Sequence, residues 1–140
     1  MPREDEPTPY DKVWNPPEEL NDLARRVIGA AIEVHEELGP GLPEEAYQRA
    51  MELELTARGI QFMFQHPVEI FYKGTLVCKG RLDFLIENQL VVEIKSIDSL
   101  APIHTRQVPV YLHQTQLHLG LLINFNVPIL KDGLRRVIRS

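Results

Sequence analysis

The stretch from Leu82 to Lys95 constrains this chain more tightly than any other. It reads Leu82-Asp83-Phe84-Leu85-Ile86, then Glu87-Asn88-Gln89, then Leu90-Val91-Val92-Glu93-Ile94-Lys95. Two short apolar runs on either side of a polar turn predict a β-hairpin. Successive side chains on a strand point to opposite faces, so Glu93 and Lys95 share one face while Val92 and Ile94 take the other. By the same alternation Asp83 lies opposite Leu82 and Phe84. Closing the hairpin brings two carboxylates and one ammonium onto one sheet face, with an apolar face behind them to fix the register. Such a cluster can hold a divalent metal and steer a water beside it. The plainer alternative is an exposed hairpin with a cross-strand salt bridge worth well under ~1 kcal/mol.

The chain around this segment has 140 residues, enough for one domain that buries roughly 70% of the surface its unfolded form exposes. With 44% hydrophobic and 25% charged residues, it has the composition of an ordinary globular protein. No apolar run approaches the roughly 20 residues that span a bilayer. The opening Met1-Pro2-Arg3-Glu4-Asp5-Glu6 resembles neither a signal peptide nor a basic transit sequence. A single cysteine, Cys78, excludes an intrachain disulfide and a cysteine-rich zinc site. A cytoplasmic protein that does not engage a membrane is the simplest expectation.

The net charge of −5 is unevenly distributed. Residues 1–70 carry 6 Lys and Arg against 15 Asp and Glu, whereas residues 71–140 carry 9 against 5. The half that contains the carboxylate–lysine cluster is the basic one. Phosphate affinity follows local clustering of cations more than the total, so a nucleic-acid substrate is compatible with this charge but not demanded by it.

Residues 1–16 contain four prolines and several acids without apolar periodicity, and predict a flexible leader ahead of a single domain over 17–140. Asn15-Pro16-Pro17 opens a first helix, with Glu18, Glu19 and Asp22 at the positive end of its dipole. Leu20, Leu23, Ala24, Val27, Ala31, Val34 and Leu38 give it one buried stripe, and Gly39 ends it. Pro43 starts a second helix that runs to about Arg58. Residues 60–65 and 68–71 read as strands, with Pro67 marking an edge or a bend. A turn at 72–75 leads into 76–79, and the Asp83 and Glu93 strands follow. Residues 103–118 read as a helix despite Pro109, and residues 119–124 as a buried strand. Residues 127–130 and 134–138 are expected to close the fold as a hairpin. The element order is α-α-β-β-β-β-α-β-β, with helices packed against a mixed sheet.

Asp83 and Glu93 are oxygen donors of the kind that hard ions such as Mg²⁺ require, usually one or two carboxylates with water and substrate phosphate completing the shell. A metal so held lowers the pKa of its water and neutralises charge on a phosphate oxygen, while Lys95 adds a fixed positive charge. Glu44 and Tyr47 stand three apart on one face of the second helix, directly after Pro40-Gly41. Without a metal site, Glu44 merely complements the helix N-terminus and Tyr47 packs. His35 sits near a helix C-terminus, where the dipole alone favours it, although it is close in sequence to Glu44 and within reach of a phosphate. His104, His113 and His118 are too scattered for a zinc motif. His104 and Arg106 could face a phosphate backbone or simply be solvated. Arg135, Arg136 and Arg139 read as the polar end of a hairpin.

Gly41-Leu42-Pro43-Glu44-Glu45-Ala46-Tyr47 matches the G-x-x-E-x-x-Y signature and resembles the GxxExxY proteins of the PD-(D/E)XK nuclease-like superfamily. Val34 to Leu42, Gly80-Arg81-Leu82-Asp83, Val92-Glu93-Ile94-Lys95, Gln107, Tyr111-Leu112 and Gly120 to Phe125 extend the likeness over about residues 18–140. The resemblance implies an α/β fold with a restriction-endonuclease-like core, a mixed β-sheet flanked by helices, and an additional N-terminal helix pair. It further implies catalytic roles for Glu44, Asp83, Glu93, Lys95 and Gln107. Metal ligation by Glu44, Asp83, Glu93 and the carbonyl of Ile94 follows, with Mg²⁺ or Mn²⁺ as the cofactor. His35, Tyr47, Arg81 and Tyr111 are candidate substrate contacts. Pro109 departs from the unbroken helix such proteins carry, which bears on the aim of Gln107.

The expected function is a metal-dependent nuclease that hydrolyses DNA phosphodiester bonds through a metal-activated water. The alternative is a non-catalytic module that keeps the fold and binds nucleic acid or a protein partner, as the acidic first half and proline-rich leader suggest. A metal-free hydrolase using paired carboxylates leaves Lys95 without a place.

Overall fold

The computed structural model describes residues 15–139. The leader expected over 1–16 therefore lies almost wholly outside the described residues. Two helices come first, α1 (Glu18–Leu38) and α2 (Glu44–Ala57). Three strands follow, β1 (Phe62–Tyr72), β2 (Thr75–Ile86) and β3 (Leu90–Lys95), then α3 (Pro102–Thr115), β4 (Leu119–Asn124) and β5 (Leu134–Ile138). The strands form one sheet in the order β1-β2-β3-β4-β5. Only β3 and β4 run parallel, joined by the α3 crossover, and the other neighbours are antiparallel. The architecture is α/β, a mixed five-stranded sheet flanked by helices, as a restriction-endonuclease-like core requires.

The two central strands are buried on both faces, which explains their near-continuous apolar runs. Leu90, Val92 and Ile94 of β3, with Leu119, Leu121 and Ile123 of β4, pack beneath α1 and α2. Val91 and Leu122 face the other way, against Val108, Tyr111 and Leu112 of α3. The α1 stripe is buried at Leu20, Leu23, Ala24, Val27, Ala31 and Val34, but Leu38 is exposed because the helix overruns the sheet there.

Four expectations are corrected. Residues 60–65 and 68–71 are not separate strands but one, β1, which runs through Pro67. It can do so because β1 is an edge strand, where proline's missing donor costs no ladder bond on the open side. Residues 76–79 likewise belong to the same strand as Asp83. The chain after β4 makes bends at 126–129 and a short 3₁₀ turn at Leu130–Gly133, so 127–130 is not a strand. The closing hairpin pairs β5 with β4 itself. Finally, α3 ends at Thr115, where Gln116 adopts the left-handed conformation (φ 60°). Pro109 lies inside this helix, which continues although the proline lacks the N–H that would bond back to the Thr105 carbonyl. Burial of Val108, Tyr111 and Leu112 holds the turn in place.

Phe84 is fully buried, with the rings of Phe62 and Phe64 against it at 5.5 and 5.1 Å. Its replacement in Phe84→Ala is expected to cost about 3–5 kcal/mol, measured as a fall in the urea midpoint at unchanged m-value.

Candidate functional site

Pairing between β2 and β3 runs from Ile86–Leu90 through Leu85–Val91 to Phe84–Val92 and then stops. Beyond that point β2 stays with β1, while β3 stays with β4 as far as Lys95–Asn124. Asp83 and Glu93 are the first residues past the split, and their side chains take over the ladder. The amide of Asp83 donates to Glu93 Oε1 at 3.0 Å, and the amide of Ile94 donates to Asp83 Oδ2 at 2.7 Å. The split also coincides with a change of face. Leu82 packs with the α3 layer, whereas Phe84, two residues on, packs beneath α1 and α2. Simple alternation, which places Leu82 and Phe84 on one face, therefore fails at Asp83. Gln65 (φ 53°) stands across from this point on β1, between the Phe64–Phe84 and His66–Leu82 pairs.

Burial shapes the acids. Glu93 is 3% exposed, in a strand that is otherwise apolar up to its last residue, Lys95. Loss of hydration, and then the neighbouring Asp83 carboxylate, push its carboxyl up to about 8. Burial also raises Asp83, opposed by the Ile94 amide and the Lys95 charge. The two carboxyls hold one proton between them more readily than two isolated groups would. Glu44 is raised by burial as well, drawn down by Lys95 and pushed up by Asp83. Glu44, Asp83, Glu93 and Lys95 thus share one electrostatic neighbourhood at the open end of β3.

The loop before Glu44 is held from two sides. Tyr47 is fully buried, its ring stacked on Phe125 at 4.6 Å. Its hydroxyl donates to the Gly39 carbonyl at 2.6 Å and accepts from the Leu42 amide at 3.1 Å. Ser96 Oγ, next to Lys95, donates to the Leu42 carbonyl at 2.6 Å. Gly41 turns the loop at φ 100°, a conformation other residues adopt only with strain. The G-x-x-E-x-x-Y spacing thereby acquires a mechanical meaning: the tyrosine fixes the turn that delivers the glutamate.

The remaining candidates are placed as follows. Gln107 lines a groove together with Lys95, and its Nε2 donates to the Tyr111 hydroxyl at 2.9 Å. That hydroxyl also lies 3.4 Å from the Arg81 amide, with the ring against Gly80, where an added Cβ would come within 2.8 Å. Tyr111 is 4% exposed, so it acts as a bracket between α3 and β2, whereas the Arg81 side chain is open to solvent. His35 donates from Nε2 to the Val127 carbonyl at 2.8 Å, tying α1 to the segment after β4. Arg135, Arg136 and Arg139 bond to nearby carbonyls and to Asn21.

Two residues of the neighbourhood escape a reading of the sequence. Gln48, buried on α2, donates from Nε2 to Asp83 Oδ1 at 3.3 Å. Its position four residues after Glu44, on the same helix face, was the available signal. Ser96 had none beyond adjacency to Lys95.

The arrangement differs from the expected three-acid cage. Among the described residues no group of three or more His, Cys, Asp or Glu side chains converges to hold a metal ion. Asp83 and Glu93 meet, but their oxygens are turned onto backbone amides and Gln48, and Glu44 stands within electrostatic reach only. The donor set nonetheless suits a hard cation, because a buried and a half-buried carboxyl stand together with only Lys95 as cationic neighbour, and their free donors are oxygens.

The family model of the PD-(D/E)XK nuclease superfamily matches residues 21–137, and the chain belongs to that superfamily. The match runs from the first turn of α1 to the penultimate residue of β5. No curated protein matches significantly. Among solved structures, the crystal structure of SSO0001 is similar at 22% identity and a TM-score of 0.47, the alignment covering 86% of this chain and 66% of that one. No helix among the described residues is long and apolar enough to cross a membrane.

The raised carboxyls carry a sign. A carboxyl whose folded pKa lies above its unfolded value stabilises the fold below that unfolded value, and the contribution is lost as pH rises through the folded one. For Glu93 that window runs from 4.5 to about 8. The melting temperature of metal-free protein is expected to fall from pH 5 to pH 8. Glu93→Gln, which keeps an acceptor for the Asp83 amide, should flatten the slope in a calorimetric pH series.

Proposed function

We propose that this protein is a metal-dependent nuclease that hydrolyses DNA phosphodiester bonds, and that it belongs to the GxxExxY group within its superfamily. The observation that carries the reading is the pair of half-buried Asp83 and buried Glu93 at the β2–β3 split, with Lys95 and Glu44 in the same electrostatic neighbourhood. A purely structural salt bridge would not need two adjacent carboxyls that burial raises, one of them raised further by its neighbour, and such perturbed acids cluster at functional sites.

Asp83, Glu93 and the Ile94 carbonyl are the groups that would hold Mg²⁺ or Mn²⁺, with Glu44 as a further oxygen donor. When bound, the ion supplies positive charge that acidifies water and offsets charge growing on a phosphate oxygen. The chain's own residues do the rest. Lys95 places its ammonium beside the carboxylates, where it favours an anionic substrate and the extra charge of the transition state. Gln48 limits rotation of the Asp83 carboxylate. Tyr47 and Ser96 keep the Gly39–Pro43 turn, and hence Glu44, at a fixed distance from the Lys95 end of β3. Glu44, its carboxyl raised by burial, holds a proton more readily than a solvated glutamate and stands where it can pass one.

Purified protein with Mg²⁺ or Mn²⁺ is expected to nick or degrade DNA among duplex, single-stranded and branched substrates. Asp83→Asn and Lys95→Ala should each lower the rate at least about 10²-fold, in keeping with loss of a charged group from such a centre. Mn²⁺ heat should vanish from the Asp83→Asn titration. Cleavage unchanged in both variants, or wild-type protein that neither binds Mn²⁺ nor cuts, defeats the reading. DNA or protein binding by a chain that takes up no metal would favour the non-catalytic module instead.

A further inference from the structure

A groove of about 410 Å³ opens on the α3 side of Lys95, lined by Lys95, Ile103, His104, Arg106, Gln107 and Val110. We propose that it is a subsite for one unpaired nucleotide of the substrate strand, next to the phosphate undergoing cleavage. This assignment rests on the nuclease reading and adds a substrate form to it.

Three features point to that occupant. First, the lining contains cationic and amide side chains but no carboxylate, in a protein whose net charge is −5. Among the described residues Arg106 makes no ion pair, and Lys95, though it feels Glu44, Asp83 and Glu93, is in direct ion-pair contact with none of them. Second, His104 is fixed as a donor. Its Nδ1 accepts the Ala101 amide at 2.8 Å, and an amide can only donate, so the proton of the neutral ring sits on Nε2. Gln107 is steadied by the Tyr111 hydroxyl. These groups offer a phosphate several preset donors at little cost in side-chain entropy.

Third, the groove is not simply polar. Ile103 is 70% exposed and Val110 43% exposed, about two helical turns apart on one side of α3. Exposed β-branched side chains beside Arg106 and Lys95 suit a ligand that is anionic at one end and flat and apolar at the other. A nucleotide has that form. A base inside a duplex keeps its faces stacked on its neighbours, so only an unpaired one can lay a face on Ile103 and Val110. The volume falls in the range of small-molecule sites, which suits a single nucleotide and not a paired duplex.

The test uses full-length protein in Ca²⁺ buffer and fluorescence anisotropy, with a short labelled oligothymidylate and a blunt duplex of equal length. Oligothymidylate is expected to bind more tightly than the duplex. Arg106→Ala should weaken it roughly fivefold or more and lower the slope of log K against log salt by about 0.7, one single-strand phosphate contact. Ile103→Asp puts a carboxylate on the apolar wall and should weaken oligothymidylate about tenfold, with the melting temperature unchanged because the site is exposed. Arg26→Ala, on the outer face of α1, is the control that should change nothing. Wild-type affinity in both groove variants overturns the assignment, as does a duplex bound as tightly as the single strand. If the wild type binds neither DNA, the nuclease reading itself falls and the subsite with it.

Discussion

Two hydrogen bonds from backbone amides to carboxylates decide the rest of this structure. Past Phe84 and Val92, β2 is committed to β1 and β3 to β4, so the two strands part and leave amides facing each other across a widening gap. A buried amide without a partner costs about 1–3 kcal/mol. Asp83 and Glu93 remove that cost by each accepting an amide from the opposite strand. The carboxylates therefore close the sheet where its strands part, and on the nuclease reading the same groups carry the chemistry. One consequence is that alanine at either position would confuse a folding defect with a chemical one, whereas the amide side chain keeps an acceptor and separates them.

The elements around the split serve to bring other groups to it. The α2 helix carries Tyr47 into the core, where stacking on Phe125 fixes its rotation, and the next residue, Gln48, then reaches Asp83. The same tyrosine grips the loop that leads to Glu44, and Ser96 ties that loop to the end of β3. On the opposite layer Tyr111 bridges α3 to β2 while holding Gln107. Both faces of the sheet thus deliver side chains to one edge of β3, each through a buried tyrosine whose hydroxyl bonds backbone on one side and a loop or polar side chain on the other.

Much of this was legible before any coordinates. The apolar runs either side of Glu87-Asn88-Gln89 predicted the β2–β3 hairpin, and Pro43 and Gly39 marked the helix ends to within a residue. What stayed hidden was set by tertiary context. Pro67 looked like an interruption because strand signals cannot tell an edge strand from a central one. The apolar residues from Val127 to Leu130 looked like a strand, although they fold back so that Leu130 fills the core beneath α1. The face change between Leu82 and Phe84 has no local signature, since it arises from the separation of β2 from β3 and from the unusual Gln65 backbone opposite. Gln48 was missed because a glutamine on a helix is ordinarily solvated, and only its burial shows that it has a partner.

The uneven charge of the chain follows the two layers. The acidic half supplies α1 and α2, and with them Glu44; the basic half supplies β3, α3 and the groove beside Lys95. Lys95 sits where these layers meet, close enough to Glu44, Asp83 and Glu93 to shift their protonation, yet lining a groove that contains no acid. A polyanion approaching from the α1 and α2 side meets repulsion, and one approaching from the α3 side meets donors first. The electrostatic field therefore selects a direction of entry before any specific contact forms. On the nuclease reading proposed above, a phosphate arriving from that side reaches Lys95 before the carboxylate pair.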